Sequence, residues 1–149
     1  MNTLVVYDSL YGNTKTIAQA IGDAIPGEVE VLHVGEAKAS GLEAYNLLVV
    51  GAPTHGAKPS EDAQAFLDRN PAKALSGIGV AAFDTRMTNK LVTLFGTAAT
   101  KIAKVLVKKG GTEAGPPVGF YVTGGEGPLR EGEVERAAQW AKGLVPVKT

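Results

Sequence analysis

A loop rich in hydroxyl groups follows the first apolar segment of the chain and leads directly into a segment of helical periodicity. The residues of this loop that could contact an anion are Ser9, Leu10, Tyr11, Gly12, Asn13 and Thr14. The start of a helix offers unpaired backbone N–H groups and a positive dipole end, which together bind phosphate without a basic residue. The loop therefore predicts a phosphate site. The simpler interpretation, an ordinary helix start capped by Asn13 or Thr14, stays open at this point.

Other kinds of chemistry are poorly supported at this loop. It lacks the Gly-Lys-Ser/Thr of a P-loop and the Gly-x-Gly-x-x-Gly of a dinucleotide fold, so a nucleoside triphosphate with magnesium is not expected. The chain has no cysteine, which excludes disulfides and thiolate sites. Its two histidines, His33 and His55, lack the spacing of metal ligands, and no metal site is expected.

Two further loops follow apolar segments and carry polar or rigid residues. The second loop includes Pro53, Thr54, His55 and Gly56, and the third loop includes Asp84, Thr85, Arg86 and Met87. In an open α/β sheet, ligands bind beyond the carboxyl ends of the strands. We therefore expect all three loops at one edge of a sheet, where the second and third could close over a flat ligand from opposite sides.

The elements that would position these loops alternate between two hydrophobic periods. Strand-like runs are expected at Leu4–Tyr7, Glu28–Val31, Leu47–Gly51, Ile78–Phe83 and Val118–Val122. Helical patterns are expected at Thr14–Ile25, after Ser60, at about Leu91–Lys109 and at Gly132–Leu144. This alternation predicts a doubly wound, five-stranded parallel sheet covered by helices on both faces, a three-layer α/β/α sandwich. The glycine-rich segment Thr123–Leu129 is interpreted as a flexible connection into the last helix.

Length and composition restrict the class of protein. With 149 residues, 44% hydrophobic and 20% charged, the chain predicts a single domain over residues 1–149. The longest apolar stretch, Leu47–Pro53, is too short for a membrane span. A formal net charge of zero gives no support to nucleic-acid binding. The first residues lack the pattern of a signal peptide, so a cytoplasmic location is expected.

Three segments carry a resemblance to a known family. The pattern Val5-Val6-Tyr7-x-Ser9-x-x-Gly12-x-Thr14-x-x-x-Ala18-x-x-Ile21 resembles the opening signature of flavodoxins. The segments Gly51–Gly56 and Phe83–Thr85 are similar to the starts of the second and third loops of that family. The resemblance covers essentially the whole chain. It implies the flavodoxin-like fold in its short-chain form, with strand order 2-1-3-4-5.

The resemblance also implies a cofactor and a function. Flavin mononucleotide (FMN) would bind with its phosphate on Ser9 to Thr14 and its ring between the second and third loops. The protein would be a monomer that transfers single electrons between redox partner proteins, a reductase or an acceptor enzyme. The peptide around Gly56 would flip so that a carbonyl accepts a hydrogen bond from the half-reduced ring, because a residue without Cβ makes both conformations accessible.

Three positions differ from the usual pattern of the family. His55 stands where a large aromatic residue is common, the third loop has no stacking tyrosine, and Tyr11 replaces a threonine. Arg86 or Met87 would then cover the ring.

These differences keep two alternatives open beside the electron carrier. One is a small FMN-dependent oxidoreductase of the quinone or protoporphyrinogen type, with His55 as a proton donor and Thr123–Leu129 as a pocket wall. The other is a flavodoxin-like binding module that has lost FMN. A receiver domain is disfavoured, because Asp8 has no acidic neighbour and Gly51-Ala52-Pro53 occupies the place of a phosphoaccepting aspartate. An electron carrier is favoured over a catalyst with its own substrate.

Overall fold

The computed structural model describes residues 2–38, 41–54, 59–71, 73–87, 97–124 and 126–144. A short 3-10 helix spans Leu42–Ala44. The strands and helices are, in chain order, β1 (Asn2–Tyr7), α1 (Asn13–Ala24), β2 (Glu28–His33), β3 (Leu47–Pro53), α2 (Glu61–Arg69), β4 (Gly79–Arg86), α3 (Ala98–Lys108), β5 (Thr112–Glu113), β6 (Val118–Tyr121) and α4 (Glu133–Lys142). None of the helices in this described part is long and apolar enough to span a membrane.

The strands form one parallel sheet in the order β2-β1-β3-β4, with two short strands beyond β4. β5 pairs with the start of β4 and β6 pairs with its end. Pro116 and Pro117 lie between these two strands and have no N–H group for the ladder, which accounts for the interruption. The expected strand order is thus confirmed. The expected fifth strand corresponds to β6, and the two-residue β5 was not predicted.

The sheet is buried on both faces. On one face, α1 and α4 pack over a core that includes Val5, Ile17 and Ala137. On the other face, α2 and α3 pack over a core that includes Val50, Phe66 and Ile102. All residues of β3 from Leu47 to Ala52 are buried because helices cover both sides of this central strand. The predicted three-layer sandwich is therefore confirmed.

An aromatic cluster fills the core beneath α4. The rings of Phe83, Phe120 and Trp140 meet edge to face with centroids 6.1 to 6.3 Å apart. Trp140 also donates its indole N–H to the carbonyl of Pro116 at 3.0 Å. A Cβ on Gly51 would lie 2.0 Å from Cζ of Phe83, so the glycine makes room for this ring. Trp140 is partly buried and packs against the core on this face of the sheet.

Several elements differ from the predicted bounds, and two of these differences affect the candidate site. β4 continues beyond Phe83 through Arg86, because its last residues pair with β3 on one side and β6 on the other. Asp84, Thr85 and Arg86 are thus the end of a strand, whereas the sequence placed them in a loop. The helix expected at about Leu91–Lys109 begins only at Ala98, because Thr97 has an extended backbone and caps it, so the predicted start is wrong; residues 91–96 lie outside the described residues.

Candidate functional site

The carboxyl ends of β1, β3 and β4 bring the three predicted loops to one edge of the sheet. In the register of the sheet, Tyr7 of β1 pairs with Gly51 of β3, which pairs with Phe83 of β4. Thr54, which follows β3, donates its backbone N–H to the carbonyl of Thr85 at 3.0 Å. The described parts of the three loops therefore lie together, as the sequence predicted.

The first loop is a tight turn held by its own side chains. Oδ1 of Asp8 accepts a hydrogen bond from the backbone N–H of Ser9 at 3.0 Å and lies 3.3 Å from Nε2 of His33. The Ser9 hydroxyl in turn accepts a hydrogen bond from the N–H of Gly12 at 2.9 Å. Gly12 has a φ of 91°, in the left-handed region, immediately before α1. These contacts fix the direction in which the loop enters the helix.

The start of α1 has no capping side chain. Gly12 occupies the N-cap position, and the first turn contains no acidic residue. Asn13 donates its side-chain amide to the carbonyl of Glu126 at 3.1 Å, and the hydroxyl of Thr14 lies 2.8 Å from that of Thr85. The interpretation of this segment as a helix capped by Asn13 or Thr14 is therefore wrong. The helix start is open to an external acceptor.

Two other helix starts are occupied or repel anions. The Ser60 hydroxyl caps α2 by accepting a hydrogen bond from the N–H of Ala63, and Glu61 and Asp62 lie in the first turn. The start of α4 has Glu133 and Glu135 in its first turn. Carboxylates at these places already complement the helix dipoles. An anion would be repelled at both ends.

The start of α3 is capped from three directions. Thr54 comes from the end of β3, Asp84 from the end of β4, and Thr97 is the N-cap residue. The capping bonds are Ala98 N–H to Thr54 Oγ1 at 3.1 Å, Ala99 N–H to Asp84 Oδ2 at 3.0 Å, and Thr100 N–H to Thr97 Oγ1 at 3.2 Å. Among the helices that the structure describes, only α1 begins with neither a capping side chain nor a carboxylate.

Asp84 is buried completely at this edge of the sheet. Besides the N–H of Ala99, its Oδ2 contacts Nη1 of Arg86 at 3.4 Å. Its Oδ1 is buried and has no hydrogen-bond partner among the described residues. Burial raises the pKa of the Asp84 carboxyl above its usual range, and the N–H of Ala99 and the charge of Arg86 offset this only in part.

Arg86 packs along the sheet. Its guanidinium lies over Gly119 of β6, where a Cβ would meet Nη2 at 2.2 Å. The same group stands 5.7 Å from the ring centroid of Tyr121 and contacts Asp84. The expectation that Arg86 could cover a flat ligand therefore competes with these contacts. Met87, the other expected cover, is 48% exposed.

The remaining predicted residues divide into exposed and undescribed ones. Leu10 and Tyr11 are exposed on the first loop, which gives this edge an apolar surface together with Met87. Pro53 is the last residue of β3, and Thr54 is half-buried beside it. His55 and Gly56 lie outside the described residues. No cluster of three or more His, Asp or Glu side chains suited to a metal occurs in the described part of the chain.

The sequence did not reveal the contact between the first loop and the segment after β6. Val122 and Leu129 form an antiparallel bridge, and the N–H of Thr123 donates to the carbonyl of Pro128 at 2.8 Å. The segment is thus a hydrogen-bonded turn, where a flexible connection was expected. It carries the carbonyl of Glu126 to the side chain of Asn13. The Gly-Pro pair at 127–128 was the available signal for a turn.

Comparison with known proteins agrees with this arrangement. The family model described as "Flavodoxin domain" matches residues 4–110. Flavodoxin 2 from Bacillus cereus is 28% identical with a TM-score of 0.79, over 96% of this chain and 97% of that one. A flavodoxin from the domain Archaea is 24% identical with a TM-score of 0.77, over 95% and 94% of the two chains.

A short-chain flavodoxin associated with a bacterial microcompartment has 19% identity and a TM-score of 0.79, over 97% of this chain and 96% of that one. No curated protein matches the chain. The family model covers well over half of the sequence and includes all three loops of the candidate site. The chain therefore belongs to the flavodoxin family of flavin-binding electron-transfer proteins.

Proposed function

We propose that this protein binds FMN with the phosphate at the start of α1 and carries single electrons between redox partner proteins. The observation that carries the proposal is the open start of α1, the one described helix start without a capping side chain or a carboxylate. Backbone N–H groups and the helix dipole would hold the phosphate there. Lys15, exposed in the first turn, adds a positive charge.

The first loop has room for this group. A Cβ placed on Gly12 would meet no atom within 4 Å, so the loop faces open space at the end of the helix. The Ser9 hydroxyl keeps its own hydrogen free to donate, since its oxygen accepts from Gly12. The backbone N–H groups and the Ser9 hydroxyl are neutral donors with fixed directions. Such donors would recognise a phosphate group by its shape as well as by its charge.

The ring of FMN would lie between the second and third loops. Pro53 and Thr54 would stand on one side of it and Met87 on the other, while Leu10 and Tyr11 extend the apolar surface. When bound, FMN supplies the one-electron chemistry. The residues of the three loops would hold and orient it.

A binding titration tests the site. We expect the purified protein to quench the fluorescence of FMN and to bind riboflavin at least about tenfold more weakly, because riboflavin lacks the phosphate. Inorganic phosphate should weaken FMN binding and leave riboflavin binding unchanged. Equal affinities for the two flavins would refute a phosphate site at α1.

A second measurement tests the carrier role. The FMN-loaded protein should be reduced only slowly by NAD(P)H alone, and should not turn over a quinone. Rapid turnover would instead favour the enzyme alternative. We further infer that the protein acts as a monomer in the cytoplasm, which size-exclusion chromatography with light scattering and cell fractionation would check.

A further inference from the structure

Asp84 has an unusual environment for a carboxylate. It is fully buried, one of its oxygens has no hydrogen-bond partner among the described residues, and the other accepts hydrogen bonds from the backbone N–H of Ala99 at 3.0 Å and from Nη1 of Arg86 at 3.4 Å. An ionised carboxylate in such surroundings lacks much of the solvation that water would give it. A protonated carboxyl would be more favourable there than at the surface.

Asp84 stands between the two loops that are expected to hold the ring. It lies two residues before the last residue of β4, next to the start of the third loop. On its other side is Thr54 of the second loop, whose hydroxyl lies close enough to influence the carboxyl. Charges in this low-dielectric edge of the sheet interact strongly with one another.

The groups that face Asp84 provide only one cation among the described residues. β4 contributes Arg86, at 3.4 Å and shared with the ring of Tyr121. The start of α3 contributes the N–H of Ala99 and the hydroxyl of Thr97, while β6 contributes Gly119, which has no side chain. A further negative charge nearby would therefore find little compensation.

We propose that Asp84 takes up a proton from water when the bound flavin accepts an electron, and so links the reduction potential to pH. This inference rests on the proposed FMN site. In the linked step, the carboxylate and one proton give the neutral carboxyl, and the electron comes from an external one-electron donor and stays on the flavin. No covalent bond to carbon forms or breaks.

The linkage has a definite direction. Below the pKa of Asp84 in both redox states the carboxyl is neutral, and it should have little influence on the potential. As pH rises, the wild type must either take up a proton on reduction or hold two negative charges close together. The potential of the wild type should therefore fall below that of a neutral variant at high pH.

The experiment compares the wild type with Asp84→Asn. Midpoint potentials of the FMN-loaded proteins are measured by dithionite titration from pH 4.5 to 9, and the difference between the two proteins is plotted against pH. Protonation of the flavin itself cancels in this difference. Over the pH window in which Asp84 titrates, we expect the difference to change by up to about 59 mV per tenfold change in proton concentration.

Asp68→Asn is the matched control, since Asp68 is an exposed carboxylate on α2. Its difference from the wild type should not vary with pH. A difference that is equally constant for Asp84→Asn would overturn the inference. Failure of the wild type to bind FMN would instead refute the proposed function, and the linkage with it.

Two readouts do not depend on the potential. In the protein without flavin, the infrared difference between the wild type and Asp84→Asn should contain a protonated-carboxyl band that persists above the pH at which the exposed carboxyls ionise; if this difference spectrum shows no such band, the inference fails. If Asp84→Asn does not fold, Arg86→Gln replaces it. Loss of the nearby cation should move the pH window upward, and an unchanged window would contradict a titrating Asp84.

Discussion

The hydroxyl of Thr14 on α1 lies 2.8 Å from the hydroxyl of Thr85 on β4, and both residues are buried. This hydrogen bond joins the helix that would hold the phosphate to the strand from which the third loop begins. The two residues are 71 positions apart in the sequence. The contact therefore fixes the position of the first loop relative to the third, and it does so without a charged group.

Removal of either hydroxyl should destabilise the fold. Thr14→Val or Thr85→Val leaves a buried hydroxyl without its partner, at a cost of about 1–3 kcal/mol in the free energy of unfolding. The double variant should be more stable than the sum of the two losses predicts, because no unpaired hydroxyl remains. Urea unfolding of the protein without flavin gives the four stabilities of this cycle.

Thr16→Val is the control for this cycle. Thr16 also lies on α1, but it is exposed and its hydroxyl bonds to the carbonyl of Gly12 within the same helix turn. We expect a change within about 0.5 kcal/mol. Additive effects of Thr14→Val and Thr85→Val would show that the two hydroxyls do not interact in solution.

Gly12 should have one role in stability and a second in binding. Its φ of 91° is costly for a residue with a Cβ, so Gly12→Ala should lower the free energy of unfolding by roughly 1–2 kcal/mol. The new methyl group would also project into the open space where the phosphate is proposed to bind. FMN affinity should therefore fall in addition, while riboflavin affinity falls less.

The chain offers a closely matched control at the start of α4. Gly132 is also an N-cap residue, with φ 89° and ψ −8° against 91° and −9° at Gly12, and a Cβ there would also meet no atom within 4 Å. Gly132→Ala should cost a similar amount of stability and leave FMN affinity unchanged. If both variants weakened FMN binding equally, the phosphate would not be located at α1.

The sequence predicts the elements that have a clear hydrophobic period and misses those that have none. The strand β1 and the helix α1 have clear and different hydrophobic periods, so the order of elements and the position of the first loop could be predicted. The two-residue strand β5 is exposed and has no such pattern. The predicted order of the strands was therefore confirmed, while the short strand β5 was not predicted.

The structure of the site depends on contacts that no local pattern encodes. β4 extends through Arg86 because it pairs with β6, which lies more than thirty residues later. Likewise, α3 is capped by Thr54 and Asp84, which come from two other strands. The placement of the loops at one edge could be predicted from topology, but these tertiary bonds could not. The assignment of FMN contacts to individual residues stays a prediction.

Glu133 should make stability depend on pH in the acidic range. Its carboxylate accepts hydrogen bonds from Arg136 and from the backbone N–H of Tyr121 at 2.7 Å. The bond from Arg136 is the main cause that lowers the pKa of Glu133 in the folded protein. A lowered pKa means that the stabilisation is present above the unfolded pKa of about 4.3 and is lost as pH falls through the folded value.

Glu133→Gln tests this sign. The wild type should be more stable than the variant by about 1–2 kcal/mol near neutral pH, and this advantage should shrink below about pH 4.5. Glu135→Gln, at an exposed position in the same helix turn, removes only an exposed charge near the helix start and should therefore cause a smaller change. An advantage that persists undiminished at pH 3 would mean that the ionised form of Glu133 is not the one stabilised.

Gly51 and Gly119 both lack room for a Cβ, yet their replacement should have unequal costs. At Gly51 the obstacle is the ring of Phe83, which is buried in the aromatic cluster. At Gly119 the obstacle is the end of the Arg86 side chain, which can move away. Gly51→Ala should therefore cost about 1–3 kcal/mol in the free energy of unfolding and Gly119→Ala less, as measured by urea unfolding.

Phe83→Leu should recover part of the loss in Gly51→Ala, because the smaller side chain leaves space for the new methyl group. Equal costs at the two glycines would contradict the close contact between β3 and the Phe83 ring.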